Sequence, residues 1–300
     1  MHYLITGGAG FIGQHLCRRL ADEPGSRVNV VDNLYRAGRL GPPAWGATVR
    51  FTEGDVRDSG LVRRLMTGID VVFHLAAQSN VIGACVDLDY SFTTNVIGTY
   101  NVLSEARRAG VTKVVFTSSR EVYGEPEDLP VAEAAPLQPK NAYGASKLAG
   151  EAYCRVFQGL GLPVTILRLA NVYGPGDRDR VIPIFLDRAS SGQPLILYGG
   201  DQVIDFVWIG DVIDALLASI PLDGEAGPIN IGGGQGVSIA DLAEMVSASS
   251  AARVPVVREN PREMEVRSFV ADIAKAVRLG LLRPHAGSLS ERLPRMLRTA

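Results

Sequence analysis

The sequence predicts an α/β fold built on a doubly wound parallel sheet, and two observations predict it. The first is a strand, glycine turn and helix at the N-terminus: Tyr3-Leu4-Ile5, then Thr6-Gly7-Gly8-Ala9-Gly10-Phe11-Ile12-Gly13, then apolar residues at helical spacing to Leu20. The second is the alternation of strand and helix patterns that continues through the first two thirds of the chain, which is the signature of β-α-β units with ligands beyond the carboxyl ends of the strands. At 300 residues the chain can bury a sizeable core.

Each glycine of the first turn has its own task. Gly7 lets the chain reverse at the strand end, Gly10 leaves the backbone open to a pyrophosphate, and Gly13 lets the helix pack closely. The N–H groups at the helix start then face the phosphates, helped by the helix dipole. A second strand, Arg27 to Val31, ends in Asp32, where a carboxylate accepts the ribose hydroxyls of an adenosine. An acid there favours NAD over NADP by repelling a 2′-phosphate, while Arg36 and Arg39 nearby pull the other way.

A Gly/Pro-rich loop from Gly38 to Gly46 leads to a strand at Thr48–Phe51 and to Glu53-Gly54-Asp55-Val56. Asp55 either meets the adenine edge, with Val56 packed on the ring, or caps a helix before Leu61–Met66. The fourth strand is Asp70 to Ala77, whose end, Leu75-Ala76-Ala77, has small residues that let backbone lie against a dinucleotide. His74 inside it reads as a satisfied core histidine rather than a catalytic one. A helix follows over 91–109, and Lys113–Thr117 is a central buried strand by its β-branched run.

The end of that strand carries the chemistry, in Thr117-Ser118-Ser119-Arg120-Glu121-Val122-Tyr123-Gly124. Downstream, Asn141-Ala142-Tyr143-Gly144-Ala145-Ser146-Lys147 opens a helix, and residues four apart share a face, so Tyr143 and Lys147 address one site. A phenol with a pKa of about 10 is a poor base at neutral pH. An adjacent ammonium and a positive nicotinamide ring both favour the phenolate.

Composition excludes several classes. A net charge of −2 gives no basic surface for nucleic acid or acidic membranes. No apolar run reaches membrane-spanning length, and the first strand starts too early for a signal peptide, so a cytoplasmic location is expected. Cys17, Cys85 and Cys154 lack metal-ligand spacing and read as reduced core thiols, and no metal site is expected.

Taken together, TGGAGFIG, Asp32, HLAA, TSS-x-x-VYG and Tyr143-x-x-x-Lys147 resemble the extended short-chain dehydrogenase/reductase family, and within it the NAD-dependent sugar-nucleotide epimerases and dehydratases, closest to the UDP-sugar 4-epimerases. The resemblance covers nearly the whole chain. It implies a Rossmann-type sheet over 1–170 that holds NAD and a smaller substrate-binding lobe over 171–300, with the Asp205–Ser219 region returning to the first domain. The cofactor contacts it implies are Gly7, Gly10, Phe11, Ile12, Gly13, Asp32, Asn33, Asp55, Val56, Leu75, Ala76, Ala77 and Asn95, together with Tyr143 and Lys147.

Catalysis is implied for Ser119, Tyr143 and Lys147, and Glu121 stands either as a structural or sugar-orienting residue or as a base. Substrate contacts fall on Ser119, Arg120, Glu121, Asn171, Val181, Arg262 and Glu265, where Arg262 reads as a diphosphate contact or as a solvated loop charge. The substrate implied is a nucleotide sugar, UDP-linked, and the reaction a 4-epimerisation. A 4,6-dehydratase or a uronate decarboxylase working through Glu121 is the enzymatic alternative, and an idle NAD-binding scaffold the non-enzymatic one. Relatives often pair as homodimers through helices near 95–109 and 143–159, although an apolar stripe there can equally face its own sheet.

Two positions depart from the family pattern. Ile204 stands where an arginine usually grips the diphosphate, which shifts that task to Arg262 or to the Asp177-Arg178-Asp179-Arg180 loop. Arg120 precedes Glu121, where it either neutralises the acid or reaches a uronate carboxylate.

Overall fold

The structure is a computed structural model that describes residues 1–36, 45–46, 48–178, 180–223, 226–249, 253–260, 266–283 and 288–297. Its strands are β1 (His2–Thr6), β2 (Arg27–Asp32), β3 (Val49–Glu53), β4 (Val71–His74), β5 (Lys113–Ser119), β6 (Val164–Leu169), β7 (Asn171–Tyr173), β8 (Leu195–Tyr198), β9 (Val203–Trp208), β10 (Ile229–Ile231), β11 (Gly236–Ser238), β12 (Val256–Glu259) and β13 (Ser268–Phe269). Helices that bear on the site are α1 (Phe11–Ala21), α2 (Ser59–Leu65), α3 (Val81–Val86), α4 (Leu88–Phe92), α5 (Gly98–Ala109), α6 (Ala142–Gly159), α7 (Val181–Ser190) and α8 (Ile209–Ala218).

Seven strands form one sheet in the order β10-β6-β5-β4-β1-β2-β3. The pairs from β6 across to β3 are parallel. The chain winds outward from β1 to β3, then returns to the other side of β1 to lay down β4. That reversal makes the ends of β1 and β4 the switch point, where doubly wound sheets bind ligands. Every residue of β5 is buried, which is why its sequence shows no polar alternation. Val72, Val114, Phe116 and Ile166 pack with Leu103 of α5 and Cys154 of α6 in one core.

The chain divides into two units. The first comprises Met1–Gly124, Leu137–Leu169 and Ile213–Ile229, and the second Glu125–Pro136, Ala170–Val212 and Asn230–Ala300. Of the Asp205–Ser219 region, the helical part from Ile213 falls in the first unit and the part before it in the second. β9 pairs with β7, β11 and β13 in a sheet of the second unit. Asp205, wholly buried on β9, accepts N–H bonds from Gly233, Gly234 and Ala271, so its carboxylate staples that unit.

Local structure refines four expectations. β4 stops at His74; Leu75 still donates its N–H to the Thr6 carbonyl at 3.1 Å, and Ala76–Ala77 leave the ladder. The predicted 91–109 helix is α4 and α5 joined by an i→i+5 turn at Thr93–Ile97. The cap of α2 is Asp58, which accepts the Leu61 N–H at 3.0 Å, so Asp55 does not cap it. Cys17 and Cys154 are buried, whereas Cys85 is half-buried. Burial pushes the Cys17 thiol up to about 12. Among the described residues, no helix is long and apolar enough to cross a membrane.

Candidate active site

The glycine turn after β1 is shaped by close backbone approach. Gly7 has φ +74°, and a Cβ on it would stand 2.6 Å from the Ala76 nitrogen. A Cβ on Gly13 would meet the Gly7 oxygen and the Gly8 Cα at 2.5 Å, so α1 begins in direct contact with the turn. Among the described residues, a Cβ at Gly10 would meet only the Gly7 oxygen, at 3.2 Å, and no side chain caps the helix there. The first turn of α1 therefore presents backbone amides across an uncovered glycine, a seat for an anionic diphosphate.

Asp32 closes the turn from the β2 side. One carboxylate oxygen accepts the Ala9 N–H at 3.0 Å and the other the Leu34 N–H at 2.8 Å. Burial raises its pKa despite these bonds. Next to it, Asn33 donates to Asp55 at 2.8 Å and to the Tyr90 hydroxyl at 2.9 Å. Burial alone would raise the Asp55 carboxyl, but bonds from Arg57 and Asn33 bring it below its ordinary value. Val56 is buried in the core of the first unit. Arg36 is held by Ser79 at 2.9 Å, and Arg39 lies outside the described residues.

Asn95 sits in the i→i+5 turn and is buried, and its side chain is engaged within the protein. Its oxygen accepts the Gln78 N–H at 2.7 Å, and its nitrogen donates to the Gln78 carbonyl and to Ser146 Oγ. Ser146 in turn donates to the Tyr143 carbonyl at 2.8 Å. Asn95 thus ties the loop after β4 to the first turns of α6. His74 below it is wholly buried between Thr6 Oγ1 at 2.7 Å and Thr99 Oγ1 at 2.9 Å, so it is a satisfied core residue.

Of the last three residues of β5, two meet α6 and the third meets the short turn that follows the strand. The Thr117 carbonyl accepts a bond from Lys147 Nζ at 2.8 Å. Ser118 Oγ donates to Glu151 at 2.6 Å. Ser119 Oγ accepts the Glu121 N–H at 3.2 Å, which leaves its own proton to be donated. Glu151, one turn beyond Lys147, is wholly buried and grips Arg168 with two bonds of 2.8 and 2.7 Å. Arg168 reaches on to the Tyr123 hydroxyl at 2.8 Å.

Tyr143 is half-buried in the first turn of α6, and Lys147 Nζ lies 5.9 Å from its ring centre. Burial pushes the Lys147 ammonium down to about 8, with Cys154 and Glu151 acting the other way. Glu121 is paired with Arg120 at 2.9 Å and accepts a bond from Asn141 at 2.7 Å. Sequence reasoning missed Asn141 as a site residue. Its signal was present, because an Asn just before a helical run is a favoured N-cap.

The remaining predicted residues fall in the second unit. Asn171 opens β7, and Val181 opens α7. Ile204 pairs with Val237 and Phe269 in β9 and contributes no charge. Arg180 is held by the Val172 carbonyl at 3.1 Å and by Asp177 at 3.2 Å. Arg262 and Glu265 lie outside the described residues.

A strand-end Ser119, a Tyr143/Lys147 pair on one helix and a glycine turn backed by Asp32 all lie in the first unit. The model of the NAD dependent epimerase/dehydratase family matches residues 3–232. The chain belongs to this family. This NAD-dependent family member is 38% identical over 287 residues to a putative UDP-glucose 4-epimerase of Methanocaldococcus jannaschii, spanning 92% of both chains. Its fold matches the crystal structure of UDP-glucose 4-epimerase with UDP-glucose from Thermotoga maritima at a TM-score of 0.92, with 32% identity over 100% of this chain and 98% of that one. It also matches Thermus thermophilus UDP-glucose 4-epimerase in complex with NAD at a TM-score of 0.90, with 33% identity and the same coverage.

Proposed function

We propose that this chain is a nucleotide-sugar 4-epimerase acting on a UDP-hexose or UDP-hexuronate. The observation that carries the reading is the buried Lys147 ammonium, fixed to the Thr117 carbonyl on the helix face it shares with Tyr143, beside the Ser119 strand end. Solved relatives that share the fold are UDP-glucose 4-epimerases, one with UDP-glucose and one with NAD.

In this reading the glycine turn and the start of α1 bind the NAD diphosphate, and Asp32 binds the adenosine ribose. Asn33, Asp55 and Val56 line the adenine end, and Leu75–Ala77 supply backbone beside the dinucleotide. When bound, NAD would supply the hydride acceptor and donor for the sugar C4. Tyr143 Oη takes the proton of the sugar 4-hydroxyl and later returns it. Lys147 keeps positive charge beside the phenol and favours its ionised form. Ser119 donates its hydroxyl proton to the same sugar oxygen, at the point where negative charge develops. The substrate returns to its starting oxidation level, so no external oxidant is consumed.

Asn171, Val181, Arg262 and Glu265 are assigned to the nucleotide-sugar side, with the second unit as the substrate lobe. A second copy of the chain is assigned to the apolar face where α5 meets α6. Tyr100, Tyr153, Val156 and Leu160 are 39 to 56% exposed there, and the Tyr100 ring packs edge-on against Tyr153 at 5.6 Å.

The substitution Tyr143→Phe tests the assigned base. It is expected to lower kcat by about 10²–10⁴ while NAD content and melting temperature hold. Turnover equal to that of the parent would remove Tyr143 from the role.

A further inference from the structure

Glu121 is a buried carboxylate that the steps above do not use. Its Oε1 is 2.9 Å from Arg120 Nη2, and its Oε2 accepts a bond from Asn141 Nδ2 at 2.7 Å. Asn141 is also the N-cap of α6, accepting the Gly144 N–H at 2.9 Å through its own side-chain oxygen. The backbone makes the same junction, since a Cβ on Gly144 would stand 2.4 Å from the Glu121 carbonyl oxygen. At its other end, the Glu121 N–H donates to Ser119 Oγ at 3.2 Å. One residue therefore links the hydroxyl at the end of β5 to the helix turn that carries Tyr143.

We propose that Glu121 is a positioning residue that sets Ser119 against Tyr143 through Asn141, and is neither acid nor base toward the sugar. A general base must aim an oxygen at the proton it takes, whereas here one oxygen faces a guanidinium and the other an amide. Holding two reacting groups in register is itself worth a large rate factor, because displacement by about 1 Å can cost about 10²-fold. The inference rests on the 4-epimerase reading.

The test measures kcat, KM, NAD content and product mass for the parent and four variants, on whichever of UDP-glucose, UDP-galactose and UDP-glucuronate the parent converts. E121Q keeps an oxygen for Asn141 and is expected to hold kcat within about tenfold, whereas E121A loses about 10²-fold with KM little changed. N141D keeps the helix cap but sets two carboxylates face to face, and falls as far as E121A. The double variant E121Q/N141D restores the bond with donor and acceptor exchanged, and is expected to recover at least about tenfold over N141D. If E121A fails to fold, E121Q and the double variant still decide. Equal losses of about 10²–10⁴ in E121Q and E121A, with no recovery in the double variant, would overturn positioning and make Glu121 the base. A parent product of reduced mass, or no conversion of any of the three sugars, would instead overturn the 4-epimerase reading and this proposal with it.

Discussion

Lys147 Nζ donates to the carbonyl oxygen of Thr117 across 2.8 Å, so the lysine proposed for the site is anchored to β5 two residues before the proposed Ser119. The ring of Phe116 lies 5.0 Å below the ammonium, and the side chain is almost wholly buried. Burial brings the folded-state pKa from 10.5 to about 8. The cation is thus present at neutral pH and is lost as pH rises through about 8. A pH profile of kcat is expected to show an alkaline decline there, and Lys147→Met is expected to abolish the decline along with most of the rate. For stability the sign is opposite: the cost of burying the cation is present below about 8 and is relieved as pH rises toward the unfolded value of 10.5.

Gly7 and Gly25 share nearly the same backbone angle, φ +74° and +76°, but only Gly7 has backbone within 4 Å of where a Cβ would sit. Gly25→Ala is expected to cost only the left-handed strain, about 1–2 kcal/mol. Gly7→Ala adds a collision with Ala76 and is expected to lose stability beyond that, and bound NAD as well. Melting curves and the NAD content of the purified variants measure the difference.

His74 is held neutral. Thr99 Oγ1 spends its proton on the Asn95 carbonyl at 2.6 Å, so it accepts from Nε2–H, and Thr6 Oγ1 donates to Nδ1 while accepting the Ala76 N–H. Burial lowers the folded pKa from 6.5 to about 3. The unfolded chain therefore binds a proton that the folded chain refuses as pH falls below 6.5, and stability declines from there toward 3. Urea unfolding at neutral and at mildly acidic pH is expected to show a larger loss for the parent than for His74→Gln.

The apolar face of α5 and α6 predicts a homodimer. Sedimentation is expected to give twice the chain mass, and Val156→Glu, at a position 56% exposed, to give the monomer with NAD still bound. A monomeric parent would mean that the stripe has no second copy on it.

Much of this was legible in the chain because buried parallel strands and glycine turns write directly into sequence. β5 reads as a buried strand from its Val114-Val115-Phe116 core without polar alternation, because both its faces are covered, and Tyr143 and Lys147 read as a pair because four residues make about one helical turn. What was hidden depends on register or on distant pairing. Asp55 and Asp58 are both plausible caps by type, and only the start of α2 decides for Asp58. β4 ends early because Ala76 leaves the ladder to face Gly7, a contact some 70 residues apart in sequence. The strand pattern at Asp205 is real, but periodicity does not say which sheet receives it, and β9 pairs with β7 rather than with the large sheet. The i→i+5 turn around Asn95 has no compositional sign of its own.

The most direct test incubates the purified protein separately with UDP-glucose, UDP-galactose and UDP-glucuronate and follows the products by NMR and mass. A C4 epimer of unchanged mass, formed without added oxidant and lost in Tyr143→Phe, is the predicted result. Release of water or carbon dioxide would contradict it and return the chemistry to Glu121.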